Sequence, residues 1–152
     1  MEPPPETIEA GDLELRRWDL RWTAEATAAV RDSLPELKPF MPWASDTYDD
    51  AASRTYIESS VTKWAEGTEF NYAIFTASGE LAGSIGLMTR MGPGILEIGY
   101  WMRTPFTGRG HMTTAVGALS RVASALPGVD RVVIRHDAVN VASGAVAEKA
   151  GF

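Results

Sequence analysis

Gly108-Arg109-Gly110 stands between an apolar run that reads as a strand, Ile95 to Met102, and a segment with helical spacing that starts at Gly110. The first N–H groups of a helix have no partner within it, and the macrodipole makes that end positive. Glycines placed there let a phosphate come close enough to collect those donors. The loop Thr107-Gly108-Arg109-Gly110-His111-Met112-Thr113 therefore reads as a cradle for a diphosphate. Gly-x-Gly serves equally well in an ordinary tight turn that needs only a positive φ. A dinucleotide-binding Rossmann loop is a third reading, but it requires a third glycine where this chain has Thr113, and a place in the first βαβ unit.

Around the loop stand side chains that chemistry could use. Arg109 could add a charge-assisted contact to phosphate or simply be a solvated loop arginine, and His111 could be a surface or packing histidine. Asn140 and Ser143 have the spacing of a helix N-cap and its N3 residue, which needs no substrate. Glu97 alternates with Ile95 and Gly99 on one face of a strand, where it could act as a base or pair with an arginine.

The strand Glu97-Ile98-Gly99-Tyr100-Trp101, the Gly108 to His111 loop, and the ending Asn140-Val141-Ala142-Ser143 with Glu148-Lys149-Ala150-Gly151-Phe152 together resemble the GCN5-related N-acetyltransferases. The likeness is to the branch of the RimJ/RimL type, which acetylates protein N-terminal amino groups, and it runs from about Leu13 to Phe152. Two positions depart from the family loop, Thr107 where Arg or Gln is usual and Met112 where Gly or Ala is usual. Both keep their backbone donors.

The resemblance implies acetyl-CoA as cosubstrate, held at its diphosphate by Thr107 to Thr113, with the backbone of Trp101, Met102 and Arg103 beside the pantetheine arm like an added strand. It implies a contact from Asn140 to the cofactor, Ser143 near the sulfur as proton donor to the departing thiolate, and Glu97 as general base through water. An acceptor pocket would use Phe40, Met41 and Trp43 from a Pro-broken apolar loop, with Tyr56 or Trp64 from a helix. The lack of cysteine points to direct transfer in a ternary complex. The acceptor is expected to be a protein N-terminus, with a small amine such as an aminoglycoside or polyamine as the second choice and a non-catalytic CoA-binding module as the reading from another class.

Composition sets outer bounds. At 152 residues and 45% apolar content, one domain covering 1–152 with one sizeable core is expected. A formal charge of −6 argues against nucleic acid as partner. Absence of cysteine and two histidines far apart leave no metal-ligand spacing. No apolar run reaches the roughly 20 residues of a membrane span, and the acidic, Pro-rich start is not a signal peptide, so a cytoplasmic protein is expected.

The elements that must position these groups follow from periodicity. Residues 1 to about 7 read as a mobile lead-in that buries nothing. Leu13 to Arg16 reads as a strand, and a helix starts at Thr23 with Ala26, Val30 and Leu34 in one row, stopping before Pro35. A second helix spans about Asp49 to Ala65 with Ile57, Val61 and Trp64 on its stripe, ended by Gly67. Phe70–Phe75 and Leu81–Met88 form a hairpin, Ile95–Met102 a further strand. The helix from Gly110 carries Met112, Ala115, Val116, Leu119, Val122 and Leu126, and Val132–Ile134 is a short buried strand. A last helix runs from about Val141 to Ala150. The fold expected is α/β, a mixed central sheet flanked by helices.

In the acetyltransferase fold a strand hairpin normally follows the last helix, and its two strands and turn need about 15 residues. None follow Phe152 in this sequence, so either the sequence is a fragment that stops short of the hairpin, or the missing edge is covered by a partner. An uncovered sheet edge beside Val132 to Ile134 would invite association, for example as a homodimer.

Overall fold

The computed structural model describes residues 3–38, 45, 47–103 and 110–134. In chain order they form β1 (Thr7–Ala10), β2 (Leu13–Arg17), a 3-10 turn (Leu20–Trp22), α1 (Thr23–Asp32), α2 (Leu34–Leu37), α3 (Asp50–Glu66), β3 (Glu69–Phe75), β4 (Leu81–Met88), β5 (Ile95–Met102), α4 (His111–Ser124) and β6 (Arg131–Ile134). The strands lie in one sheet in the order β1-β2-β3-β4-β5-β6. Neighbours are antiparallel except β5 and β6, which are parallel and are joined through α4, as a parallel pair requires. This is the mixed, helix-flanked sheet that the sequence predicts. The expected last helix and whatever follows it lie outside the described residues.

Strand alternation sends successive side chains to opposite faces. On β5, Leu96 and Ile98 turn toward α4, whose Met112, Ala115, Val116 and Leu119 pack on Leu15, Phe70, Ile85 and Leu87. Val122 and Leu126 sit at the margin of that core, half-buried. Trp101 faces the other way, into a cluster with Ala26, Ala29 and Val30 of α1, Leu34, Ile57 of α3, and Ala73, Phe75 and Leu81. The β3–β4 ladder shifts register between Ile74 and Phe75, where Phe75 pairs with Leu81 and Ile74 with Gly83. The extra residue, Ala82, lets Leu81 join the second cluster while Ala82 itself packs in the first.

Four expectations are corrected. The lead-in buries more than expected: Pro4 is buried, the Tyr72 hydroxyl donates to the Pro5 carbonyl (2.6 Å), and Arg17 bonds Glu6 through both backbone and side chain. Residues 7–10 then form an unforeseen strand, because Ile8 and Ala10 alternate inward against β2. The third concerns α3. Its inward face is Ser53, Ile57, Ser60 and Trp64, and Val61 is exposed. The helix begins at an Asp49 N-cap whose carboxylate accepts from the Ala52 N–H (2.9 Å), and Gly67 ends it in the left-handed region at φ 76°. Pro35, expected to stop a helix, also sits in the first turn of the short α2, where its missing N–H costs nothing. Val132 to Ile134 are half-buried rather than buried.

Burial, and then the nearby Glu6 carboxylate, push the Tyr72 phenol above its ordinary value. A proton held more tightly when folded stabilises the fold below the unfolded tyrosine pKa of about 10, and that contribution is lost as pH rises beyond it. Urea unfolding at pH 8 and pH 10.5 should therefore show a loss of stability at the higher pH. Tyr72→Phe should lower stability at pH 8 by about 1 kcal/mol and flatten the fall between the two.

Candidate active site

β5 carries a sheet neighbour on each side. Ile95 to Ile98 pair with Arg131 to Ile134 of β6, and Glu97 to Met102 pair with β4. The Arg103 N–H donates to the Ala82 carbonyl on the β4 side (2.7 Å). Alternation therefore turns the backbone groups of Met102 and Tyr100 away from β4. Main-chain groups so turned are the kind that an added extended chain pairs with.

The start of α4 lies next in the chain. Gly110 is its N-cap at φ 76°, with no side-chain cap on the first turn. Among the described residues nothing lies within 4 Å of where a Cβ on Gly110 would stand. Only glycine takes that backbone readily, and the missing Cβ leaves the approach to the first N–H groups open. Met112 turns its side chain into the core, so its backbone alone could serve a ligand, and Thr113 and His111 are half-buried. This is the arrangement in which a helix N-terminus receives a phosphate.

Side chains expected to act are placed as follows. Glu97 is 1% exposed and bound by both oxygens to Arg90, at 2.7 Å to Nε and 2.9 Å to Nη2. These bonds hold the Arg90 guanidinium above its ordinary pKa. A carboxylate gripped this way is a poor base, and the geometry favours the paired, structural alternative. Trp101 is buried on the α1 and α3 side. Arg103 reaches back to Asp32 at the end of α1, with Nε at 3.0 Å, and is thus committed to fixing the end of β5. Tyr56 as a residue is 37% exposed, and its hydroxyl meets Ser84 at 3.2 Å. Burial pushes its phenol up, and hydrogen bonds with Ser84 and Ser60 partly offset this. Trp64 is a core residue, edge-on to Phe70 and Tyr72.

Phe40, Met41, Trp43, Thr107, Gly108, Arg109, Asn140 and Ser143 lie outside the described residues. Ser84 was not expected from sequence; the only cue is one hydroxyl in the apolar strand Leu81 to Met88. Among the described residues no group of His, Asp and Glu could hold a metal ion, and no helix is long and apolar enough to cross a membrane.

A mixed sheet in which β5 is followed by a glycine-capped helix N-terminus is a frame suited to a phosphate-bearing ligand. The profile of the acetyltransferase (GNAT) domain family matches residues 12–152, and the chain belongs to that family. It is an acetyl-CoA-dependent N-acetyltransferase. Among solved structures, the microcin C7 self-immunity acetyltransferase MccE, in complex with acetyl-CoA and AMP, shares the fold with TM-score 0.89 at 22% identity, over 97% of this chain and 83% of that one. RimL, a ribosomal L7/L12 alpha-N-protein acetyltransferase in complex with coenzyme A, matches with TM-score 0.87 at 25% identity over 97% and 84%. An acetyltransferase from Salmonella typhimurium that modifies the N-terminal serine of ribosomal protein L7/L12 matches with TM-score 0.80 at 26% identity, over 97% and 84%. No curated protein sequence matches.

If Glu97 is structural, removing its partner should leave a buried carboxylate uncompensated. Arg90→Met is expected to lower the unfolding free energy by about 2–3 kcal/mol in urea melts at pH 7.5. A stability within about 0.5 kcal/mol of the parent would contradict the structural role.

Proposed function

We propose that the chain moves an acetyl group from acetyl-CoA to the α-amino group of a protein N-terminus, directly, within a ternary complex. The observation that carries this reading is the glycine-capped start of α4, where nothing among the described residues lies within 4 Å of the place a Gly110 Cβ would take. An extended ligand arm can join the Met102 edge by main-chain hydrogen bonds, as an added strand does, while the helix terminus takes the diphosphate. The open space at Gly110 fits that use. Bound there, acetyl-CoA supplies acetyl activated as a thioester.

The chain's own residues orient and hold. The outward backbone of Met102 and Tyr100 would align the arm and offer N–H groups to a carbonyl, and Arg103 keeps that end of β5 in place through Asp32. Thr107, Gly108 and Arg109 would complete the cradle with Gly110, His111, Met112 and Thr113. Asn140 and Ser143 would meet the reacting end, and Phe40, Met41, Trp43 and Tyr56 the acceptor.

Transfer needs a neutral amine. An α-amino group titrates near 8 and a lysine-type amine near 10.4, so at pH 7.5 about a quarter of the first is neutral but only about one part in a thousand of the second. With both Glu97 oxygens engaged by Arg90, an acceptor that already carries a neutral fraction is favoured over a polyamine. The two ribosomal-protein acetyltransferases at 25% and 26% identity support the same acceptor class.

Thiol release from acetyl-CoA should be measured with free-N-terminal peptides, N-blocked lysine peptides, a polyamine and an aminoglycoside. Turnover is expected with the first group, rising with pH through about 8 and then levelling as the α-amine becomes neutral. Turnover confined to the other amines would overturn the acceptor. Gly110→Val, checked for folding by circular dichroism, should raise the acetyl-CoA Kd by about tenfold or more in calorimetry. An unchanged Kd would refute the cradle.

A further inference from the structure

The side-chain cluster richest in polar contacts that the preceding account leaves unused is centred on Ser84. It is 3% exposed on β4, directly opposite Trp101 in the ladder with β5. Three groups meet its hydroxyl: Trp18 Nε1 at 3.0 Å, Tyr56 Oη at 3.2 Å and the Tyr72 carbonyl at 3.3 Å. An indole N–H can only donate and a carbonyl can only accept, so the single Ser84 proton goes to Tyr72. Tyr56 must then donate to Ser84.

Ser60 is a further polar neighbour of the Tyr56 hydroxyl. Ser60 in turn accepts from Asn71 Nδ2 (3.2 Å). Asn71 has room only because its neighbour across the ladder is Gly86, where a Cβ would stand 1.9 Å from Asn71 Oδ1. The Trp18 ring meets the Tyr56 ring edge-on at 5.9 Å and 84°. Tyr56 is thus fixed at its hydroxyl and along its ring, while more than a third of it stays open to solvent.

We infer that Ser84 is a positioning residue that acts through Tyr56 to set acceptor binding on the α3 side of β5. The inference rests on the acetyl-transfer reading above, which sets the ligand arm along Met102 and Tyr100 and counts Tyr56 among the acceptor residues. The hydrogen-bonded array ends on a main-chain carbonyl, which cannot pass a proton onward, so it orients rather than conducts. Burial keeps the phenol protonated, in accord with its role as donor to Ser84. An aromatic wall fixed in advance binds an acceptor without first losing rotamer freedom, and that advantage belongs to the acceptor rather than to acetyl-CoA.

The test uses the full chain with the best acceptor peptide from the panel, in four proteins: parent, Ser84→Ala, Tyr56→Phe and the double variant. Each single change should raise the acceptor KM about tenfold, with the acetyl-CoA KM within about twofold of the parent. The double variant should be no worse than either single one, because both break the same contact. Ser84→Thr, which keeps the hydroxyl, should recover most of the acceptor KM. Should Ser84→Ala melt below the assay temperature, Tyr56→Phe, which keeps the ring, carries the same expectation alone. An acceptor KM unmoved in Tyr56→Phe, additive effects, or equal shifts in both KM values would overturn the assignment while leaving the transferase reading intact. A parent protein that binds acetyl-CoA but turns over no amine would overturn the acceptor reading, and this inference with it.

Discussion

The β5 strand, paired on one side with β6 and on the other with β4, sets the terms for the rest of the molecule. Its Met102 end is held by what lies behind it. The β4 ladder runs to Met102, Arg103 adds a bond to Ala82, and Trp101 is driven into the cluster under α1. The parallel pairing also sets the position of α4, which crosses the face opposite Trp101 to bring β6 alongside Ile95.

The face beneath α3 is unusual in what it buries. Two serines, Ser53 and Ser60, occupy positions where leucines would give more apolar contact. A buried hydroxyl without a partner would be costly, and each has one: Ser53 meets Thr27 at 2.7 Å and Tyr48 at 3.1 Å, and Ser60 meets Asn71. Directional contacts of this kind fix helix α3 in one rotation and one depth, which apolar packing alone leaves freer. A helix that lines a binding site gains from that definition, since a displacement on the order of 1 Å can weaken catalysis a hundredfold.

Those serines also explain where sequence reading failed. The stripe Ile57, Val61, Trp64 has good helical spacing, and Val61 is the most apolar candidate at its level. The helix nevertheless turns Ser60 inward, because a partner amide waits on β3. Periodicity weighs each residue by its own transfer energy and cannot see a hydrogen bond to a residue far along the chain. The lead-in was misread for a related reason: prolines and charges indicate solvent, yet Tyr72 supplies a hydroxyl for the Pro5 carbonyl and Arg17 a cation for Glu6. What could be read were features set by local chemistry. The boundaries of β5, the Asp49 cap, the Gly67 stop and the apolar row of α4 each depend on neighbours within a turn or two. Of the site, the glycine start of α4 was legible and Ser84 was not, since its importance comes from Trp18 and Tyr56, 66 and 28 positions away.

The tie between Arg103 and Asp32 joins the first residue after β5 to the final turn of α1, 71 positions earlier. Its guanidinium side chain is largely shielded, so the link is less open to screening by salt than a pair fully in solvent. Arg31, in the same final turn, donates to the Tyr48 carbonyl just before α3. A displacement at the Met102 end of β5 would therefore be felt, through two side-chain ties, at α1 and at the entry to α3.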